Sequence, residues 1–190
     1  YESMSETSVT AFIPDWYLFS GYHSSIENSS MSITFPQDLG FRYKEYNFNF
    51  CNITKTETTN TIQYVVSNIP ALKYEEYAPS ITKFTPYVKF ALSKFHLEGV
   101  NGNASSWAEL GNWINRDLLA KTDELPESTK QTVRDLVKDV TDPIEKSRII
   151  YQYVQNKTRY VSIQLGIGGW KPMLAKDVDR LGYGDCKALT

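Results

Sequence analysis

The chain has 190 residues, 41% hydrophobic and 22% charged, with a formal net charge of −2. That composition is ordinary for one or two globular domains with real cores, and with no basic block it excludes the usual nucleic-acid binder. No apolar run approaches the length of a membrane span, and Tyr1 to Glu6 is neither basic nor apolar, so it is no export leader.

From Val9 to about Gly99 the pattern is that of short β-strands. Alternating runs recur at Trp16 to Tyr22, Ser30 to Phe35, Phe41 to Phe50, Thr61 to Val66 and Tyr87 to Leu97. Turn formers separate them: Gly21, Asn28 to Ser30, Pro36 to Asp38, Gly40, and Asn68 to Pro70. In the last run Val88, Phe90 and Leu92 share one face, and Tyr87, Ala91, Phe95 and Leu97 the other, so it is expected between two layers. The spacing points to an antiparallel, sandwich-like module over residues 1–100 rather than to βαβ units.

Gly99 to Ser106 reads as a linker, because its composition builds no core and the hydrophobic period changes across it. Beyond it the chain turns helical. Ser105 or Ser106 is expected to cap a helix from Trp107 to about Ala120, with Trp107, Leu110, Trp113 or Ile114, and Leu118 on one face. Pro126 opens a second helix with a stripe of Val133, Leu136, Val137 and Val140. A third has the best start signal in the chain: Asp142 as cap, Pro143 in the first turn and Glu145 three residues after the cap. Its buried face is expected from Ile149, Ile150, Tyr153 and Val154. Arg159 to Ile163 reads as a strand, Gly166 to Gly169 as a flexible loop, and Pro172 to Leu181 as holding a short helix.

Chemistry concentrates at Gly182-Tyr183-Gly184-Asp185-Cys186-Lys187. The glycines permit a sharp turn that aims a side chain outward. Asp185 can cap the helix that Cys186 opens. A thiol at such a position meets unpaired N–H groups that favour the thiolate, the nucleophilic form, whereas the Asp185 charge opposes it. The opposing reading is a buried, inert cysteine packing a helix start, the commoner fate of a lone cysteine. The other cysteine, Cys51, lies in the β-rich module, and two cysteines are too few for a disulfide scaffold. Both histidines, His23 and His96, also fall in that module, and no His/Cys cluster has zinc spacing. No metal or cofactor is expected.

Arg159 to Pro172, Ala175 to Val178 and Tyr183 to Lys187 together resemble the transglutaminase-like superfamily, in the form where a β-rich DUF3857 domain precedes the catalytic one. Thr158-Arg159-Tyr160 matches the strand element of that family, Trp170-Lys171-Pro172 its Trp-x-Pro element, and Gly184-Asp185-Cys186 its nucleophile. The resemblance implies an α+β chain: residues 1–100 a DUF3857-like domain short of its first strands, residues 105–190 the helical N-terminal part of a papain-like domain. It makes Cys186 the nucleophile of a Cys-His-Asp triad whose other members follow it in the family, so this chain is expected to be inactive alone.

Trp170 then has two readings, a packing aromatic beside a Gly-rich loop or an indole N–H lining the acyl pocket or oxyanion site. Gln164 is a candidate amide to polarise the carbonyl. The implied parent activity is acyl transfer from an amide, or peptide and amide hydrolysis, through a Cys186 thioester, on a peptide or protein substrate in the periplasm or outside the cell. The alternative is a non-catalytic extracytoplasmic module that binds polysaccharide or protein on the same folds.

Overall fold

Residues 7–190 are described by a computed structural model. Strand β1 (Trp16–Tyr17), β2 (Ile26–Thr34), β3 (Phe41–Tyr46), β4 (Thr54–Glu57), β5 (Thr61–Ile69) and β6 (Tyr87–Leu92) form two three-stranded antiparallel sheets, in the orders β1-β6-β3 and β2-β5-β4. Alternation explains the layering. Ile62, Tyr64 and Val66 of β5 and Val88 and Phe90 of β6 point inward and are buried. With Trp16, Leu18, Phe19 and Ile69 they make one core, against which Met31, Ile33, Phe41 and Tyr43 pack.

A polar clamp joins the sheets. Lys55 of β4 reaches Glu45 and the Tyr43 hydroxyl of β3 at 3.0 and 2.6 Å, and its own neighbour Glu57 at 3.0 Å. The Tyr64 hydroxyl donates to Glu45 at 2.7 Å. Burial alone would lower the Lys55 ammonium, but its bonds to Tyr43, Glu57 and Glu45 raise it, and burial with the Glu45 bond raises the Tyr64 phenol.

Several sequence expectations are corrected here. The first run stops at Tyr17, because Leu18 and Phe19 are both buried and so cannot alternate. The third stops at Tyr46, because Asn47 turns left-handed (φ 56°) and donates its amide to Thr82 and Thr85 carbonyls at 3.2 and 3.0 Å. The run to Leu97 breaks at Ser93, whose N–H turns to Leu39 and Gly40 carbonyls. Strand β4, whose Thr-Lys-Thr-Glu has no apolar alternation, was not expected at all. The linker also holds structure: β7 (Lys94–Leu97) and β8 (Val100–Asn103) pair, and the Phe95 ring lies over Gly102, where a Cβ would stand 2.3 Å from it.

The chain divides into two units: one runs to Leu97 and adds Asn101–Ser106, the other comprises Glu98–Val100 and Trp107–Thr190. The second unit holds α1 (Trp107–Trp113), which continues as a π-helical stretch Ile114–Leu119, α2 (Glu127–Val137) and α3 (Pro143–Lys157). The expected stripe does not hold together, because α-helical geometry turns Trp107 about 120° away from Trp113. Trp113 and Leu118 are buried, whereas Trp107, expected on the same face, is 87% exposed. Leu136 of α2 is exposed too; that helix turns Thr129 inward, whose hydroxyl donates to Asp179 at 2.9 Å. The α3 start is as expected: the Asp142 carboxylate accepts the N–H groups of Ile144 and Glu145 at 3.3 Å, and Ile149, Ile150, Tyr153 and Val154 are half-buried. After α3 come β9 (Arg159–Tyr160), two residues rather than five, then α4 (Ala175–Leu181), β10 (Tyr183–Gly184) and α5 (Cys186–Leu189). The chain is thus α+β, with antiparallel sheets in its first unit and helices in its second. Among the described residues no helix is long and apolar enough to cross a membrane.

Candidate functional site

The site is built on a short parallel pair. Strand β9 lies beside β10, Arg159 opposite Tyr183 and Tyr160 opposite Gly184. The Arg159 N–H donates to the Gly182 carbonyl at 3.0 Å and the Val161 N–H to that of Gly184 at 2.9 Å. Gly182 ends α4 in the left-handed region (φ 69°) and donates back to Val178, a C-cap that glycine adopts without a Cβ penalty. Gly184 has a second reason to lack a side chain. A Cβ there would stand 3.1 Å from Ala188, 3.2 Å from Leu189 and 3.3 Å from Val178, so the strand could not approach α5 and α4 this closely.

Asp185 then caps α5. Its Oδ1 accepts the Ala188 N–H at 3.1 Å, and its Oδ2 takes the Lys187 ammonium. The residue is 3% exposed. Burial pushes this carboxyl up, but the Lys187 bond and the Ala188 N–H outweigh it and hold the group below the ordinary carboxylate range. The charge expected to oppose a thiolate at Cys186 is therefore matched by a cation one residue further on. Lys187 has an electrostatic part that the sequence reading did not give it; the signal available was its spacing of two from the cap.

Cys186 opens α5, is exposed and is a free thiol. Cys51 is also free, half-buried in the first unit. Gln164 and Trp170 flank a 3-10 turn over Gly166–Gly169, so the expected flexible loop is hydrogen-bonded: Gly168 donates to Leu165 and Trp170 to Ile167, at 3.0 and 2.8 Å. Gln164 is exposed and Trp170 is 44% exposed.

A hollow of ≈ 200 Å³ adjoins Asp185, walled by Ile163, Ile167, Gly168, Lys171, Pro172 and Met173. Gln164 and Trp170 are chain neighbours of its wall and not part of it. A larger cleft of ≈ 890 Å³ runs beside α5, with Leu125, Val133, Ile150, Val154 and Met173 among its apolar lining and Lys157, Asp179 and Lys187 among its charges. Neither was legible in sequence, because each is assembled from segments far apart in the chain. Among the described residues no cluster of His, Cys, Asp and Glu could hold a metal.

No family model matches the chain, DUF3857 and the transglutaminase-like families included, and no curated protein matches it. A solved structure described as a "putative protease" from Parabacteroides distasonis ATCC 8503 superposes with a TM-score of 0.49 at 17% identity, over 90% of this chain and 31% of that one. This chain therefore spans about a third of the length of the protein it aligns with. At that identity and score the likeness says nothing of activity.

Proposed function

We propose that the second unit carries the nucleophile of a transglutaminase-like cysteine enzyme, which transfers or hydrolyses the acyl group of a peptide or protein amide. The observation that carries this reading is the exposed thiol of Cys186 at the start of α5, directly after a buried, lysine-paired cap. The thiolate attacks the amide carbonyl, the C–N bond breaks, and the amine leaves with a proton from an imidazolium acid. Water or a second amine then attacks the thioester, releasing the acid or a new amide and returning the thiol. Both histidines lie in the first unit, so the reading needs an imidazole from beyond residues 107–190. Trp170 and Gln164 are carried along as candidate pocket and oxyanion groups. The resemblance adds an extracytoplasmic setting and a DUF3857-like first unit.

An activated ester tests the nucleophile without calling on the missing base. Incubated with a peptidyl thioester or p-nitrophenyl ester, the chain gains one acyl mass at Cys186, and Cys186→Ser abolishes it. Acylation confined to Cys51, or none, overturns the reading.

The second reading, a binding module for polysaccharide or protein, has its own observation. Tyr17, Tyr87 and Tyr46 stack across β1, β6 and β3 with centroids 5.3 and 4.4 Å apart, and the Lys44 ammonium stands 5.1 Å from the Tyr46 ring. Binding by this row would survive Cys186→Ser and be lost in Tyr87→Ala.

A further inference from the structure

The edges of the two sheets in the first unit are guarded unequally. Strand β1 offers two residues, β4 offers four with Lys55 and Glu57 among them, and β3 carries Arg42, Lys44 and Glu45. Shortness and charge are how sheets discourage pairing with other chains. Strand β2 has neither device. It runs nine residues, Ile26–Thr34, contains no proline, and holds one charge, Glu27.

Its pairing sense follows from one bond. The Phe35 N–H donates to the Asn60 carbonyl across the β2-β5 pair at 2.9 Å. By two-residue alternation the main chains of Ser29, Met31 and Ile33 face β5, and those of Asn28, Ser30, Ser32 and Thr34 face away. These last four residues are exposed, and among the described residues no backbone hydrogen bond reaches that side. The result is a row of open donors and acceptors, a template for a further strand.

We infer that this edge pairs antiparallel with the same strand of a second copy, continuing the sheet across a two-fold axis at Met31. Three features of the strand favour a copy of itself. An axis at Met31 sets Ser30 opposite Ser32 and Asn28 opposite Thr34 of the second copy, each pair with its main chains turned toward one another. The axis is normal to the sheet, so Met31 and Ile33, which pack on the core, stay on the inner side in both copies, and the polar side chains stay outside. The one charge sits at the strand's first turn of alternation, so antiparallel pairing carries the two Glu27 carboxylates to opposite ends, whereas a parallel pairing would set like charges side by side.

An interface made of one strand edge is small beside the standard area of roughly 1,600 Å², so the dimer is weak and the test needs concentrated protein. Sedimentation velocity on the full chain from about 10 to 300 µM is expected to show a monomer–dimer equilibrium with a dissociation constant in the micromolar range. Ser30→Pro deletes an outward N–H that the fold does not use, a place where edge proline is tolerated, and weakens the dimer at least tenfold. Ser30→Thr keeps the N–H and leaves the constant unchanged. If Ser30→Pro loses its native circular dichroism, Ser30→Lys/Ser32→Lys is read in its place, since it sets lysines opposite one another across the axis.

A second arm fixes the register. With Cys51→Ser and Cys186→Ser as background, Met31→Cys brings two thiols together at the axis, in a non-hydrogen-bonded pair about 4.5 Å apart at Cα, within disulfide reach. It cross-links under mild oxidation, and Ser24→Cys does not. A monomer across the whole range, or a dimer indifferent to both the proline and the lysine variants, overturns the inference.

Discussion

The Lys187 ammonium and the Ala188 N–H hold the two oxygens of Asp185, one each, and so fix the residue that precedes the candidate nucleophile. The arrangement ties charge and geometry together: the carboxylate that caps α5 is compensated by the helix it caps. Asp185→Ala removes both partners at once. Loss of an N-cap costs about 1 kcal/mol, and here it should fall on α5 alone. Amide exchange at Ala188 and Leu189 is expected to quicken about fivefold, with the global melting transition little changed.

The Lys157–Asp179 pair makes stability depend on pH in a defined sense. Burial raises the Asp179 carboxyl, but the Lys157 ammonium and Thr129 hydroxyl lower it further, to below its ordinary value. Its contribution is present above the unfolded carboxylate pKa and is lost as pH falls through the lower, folded value. Lys157 is raised, chiefly by Asp179, so its contribution is complete below the unfolded lysine pKa and disappears as pH climbs through the folded one. Asp179→Asn should cost about 2 kcal/mol at neutral pH and flatten the acid limb of a urea-midpoint profile. An unchanged acid limb would remove the pair from the stability of the second unit.

The sandwich core gives a contrast inside one strand. Ile62 is 0% exposed and Val65 is 40% exposed. Ile62→Ala is expected to cost about 2–5 kcal/mol, and Val65→Ala less than about 0.5 kcal/mol. Chemical denaturation of the two variants separates them, and equal costs would contradict the assigned faces of β5.

Tyr64→Phe keeps the ring stacked on Trp16 at 5.5 Å and deletes only the hydroxyl that donates to Glu45. The loss should be about 1.5–3 kcal/mol, as for a hydrogen bond to a charged acceptor. If Tyr64→Phe matches wild type in denaturant midpoint, the inter-sheet clamp is decorative.

The two thiols should differ in reactivity. Burial pushes the Cys51 thiol up, whereas Cys186 is exposed. Iodoacetamide at neutral pH is expected to alkylate Cys186 several-fold faster, as read by peptide mass spectrometry. Faster labelling at Cys51 would contradict the described exposures.

What could be read from the bare sequence depended on whether one residue pattern had one structural cause. The cap at Asp142 was plain, because an aspartate carboxylate accepts the orphan N–H groups of the first turn and a proline in that turn gives up an N–H that has no partner there. The strand run of β5 and the inward face of β6 followed from alternation. Strand β4 was invisible because Thr-Lys-Thr-Glu gains its place from the Tyr43, Glu45 and Tyr64 partners of Lys55 rather than from apolar burial. Trp107 misled because regular α-helix already carries it about 120° round from Trp113, so the two tryptophans of α1 do not share a face. At the candidate site the turn and helix start at Cys186 were legible, since glycine and aspartate act locally. The hollow between Ile163 and Met173 was not, because it depends on folding to bring separate segments together, whereas the Asp185–Lys187 pairing had a local signal, a spacing of two, that was passed over.

The two-residue pairing of β9 with β10 makes the segment between Leu181 and Cys186 intolerant of length change. Side chains alternate along a strand, so a single residue inserted after Gly182 would turn the following side chains to the opposite side and send the sulfur away from the surface it now occupies. Insertions are absorbed at most exposed loop tips. Here one added codon would leave every atom of the cysteine intact and aim it the wrong way.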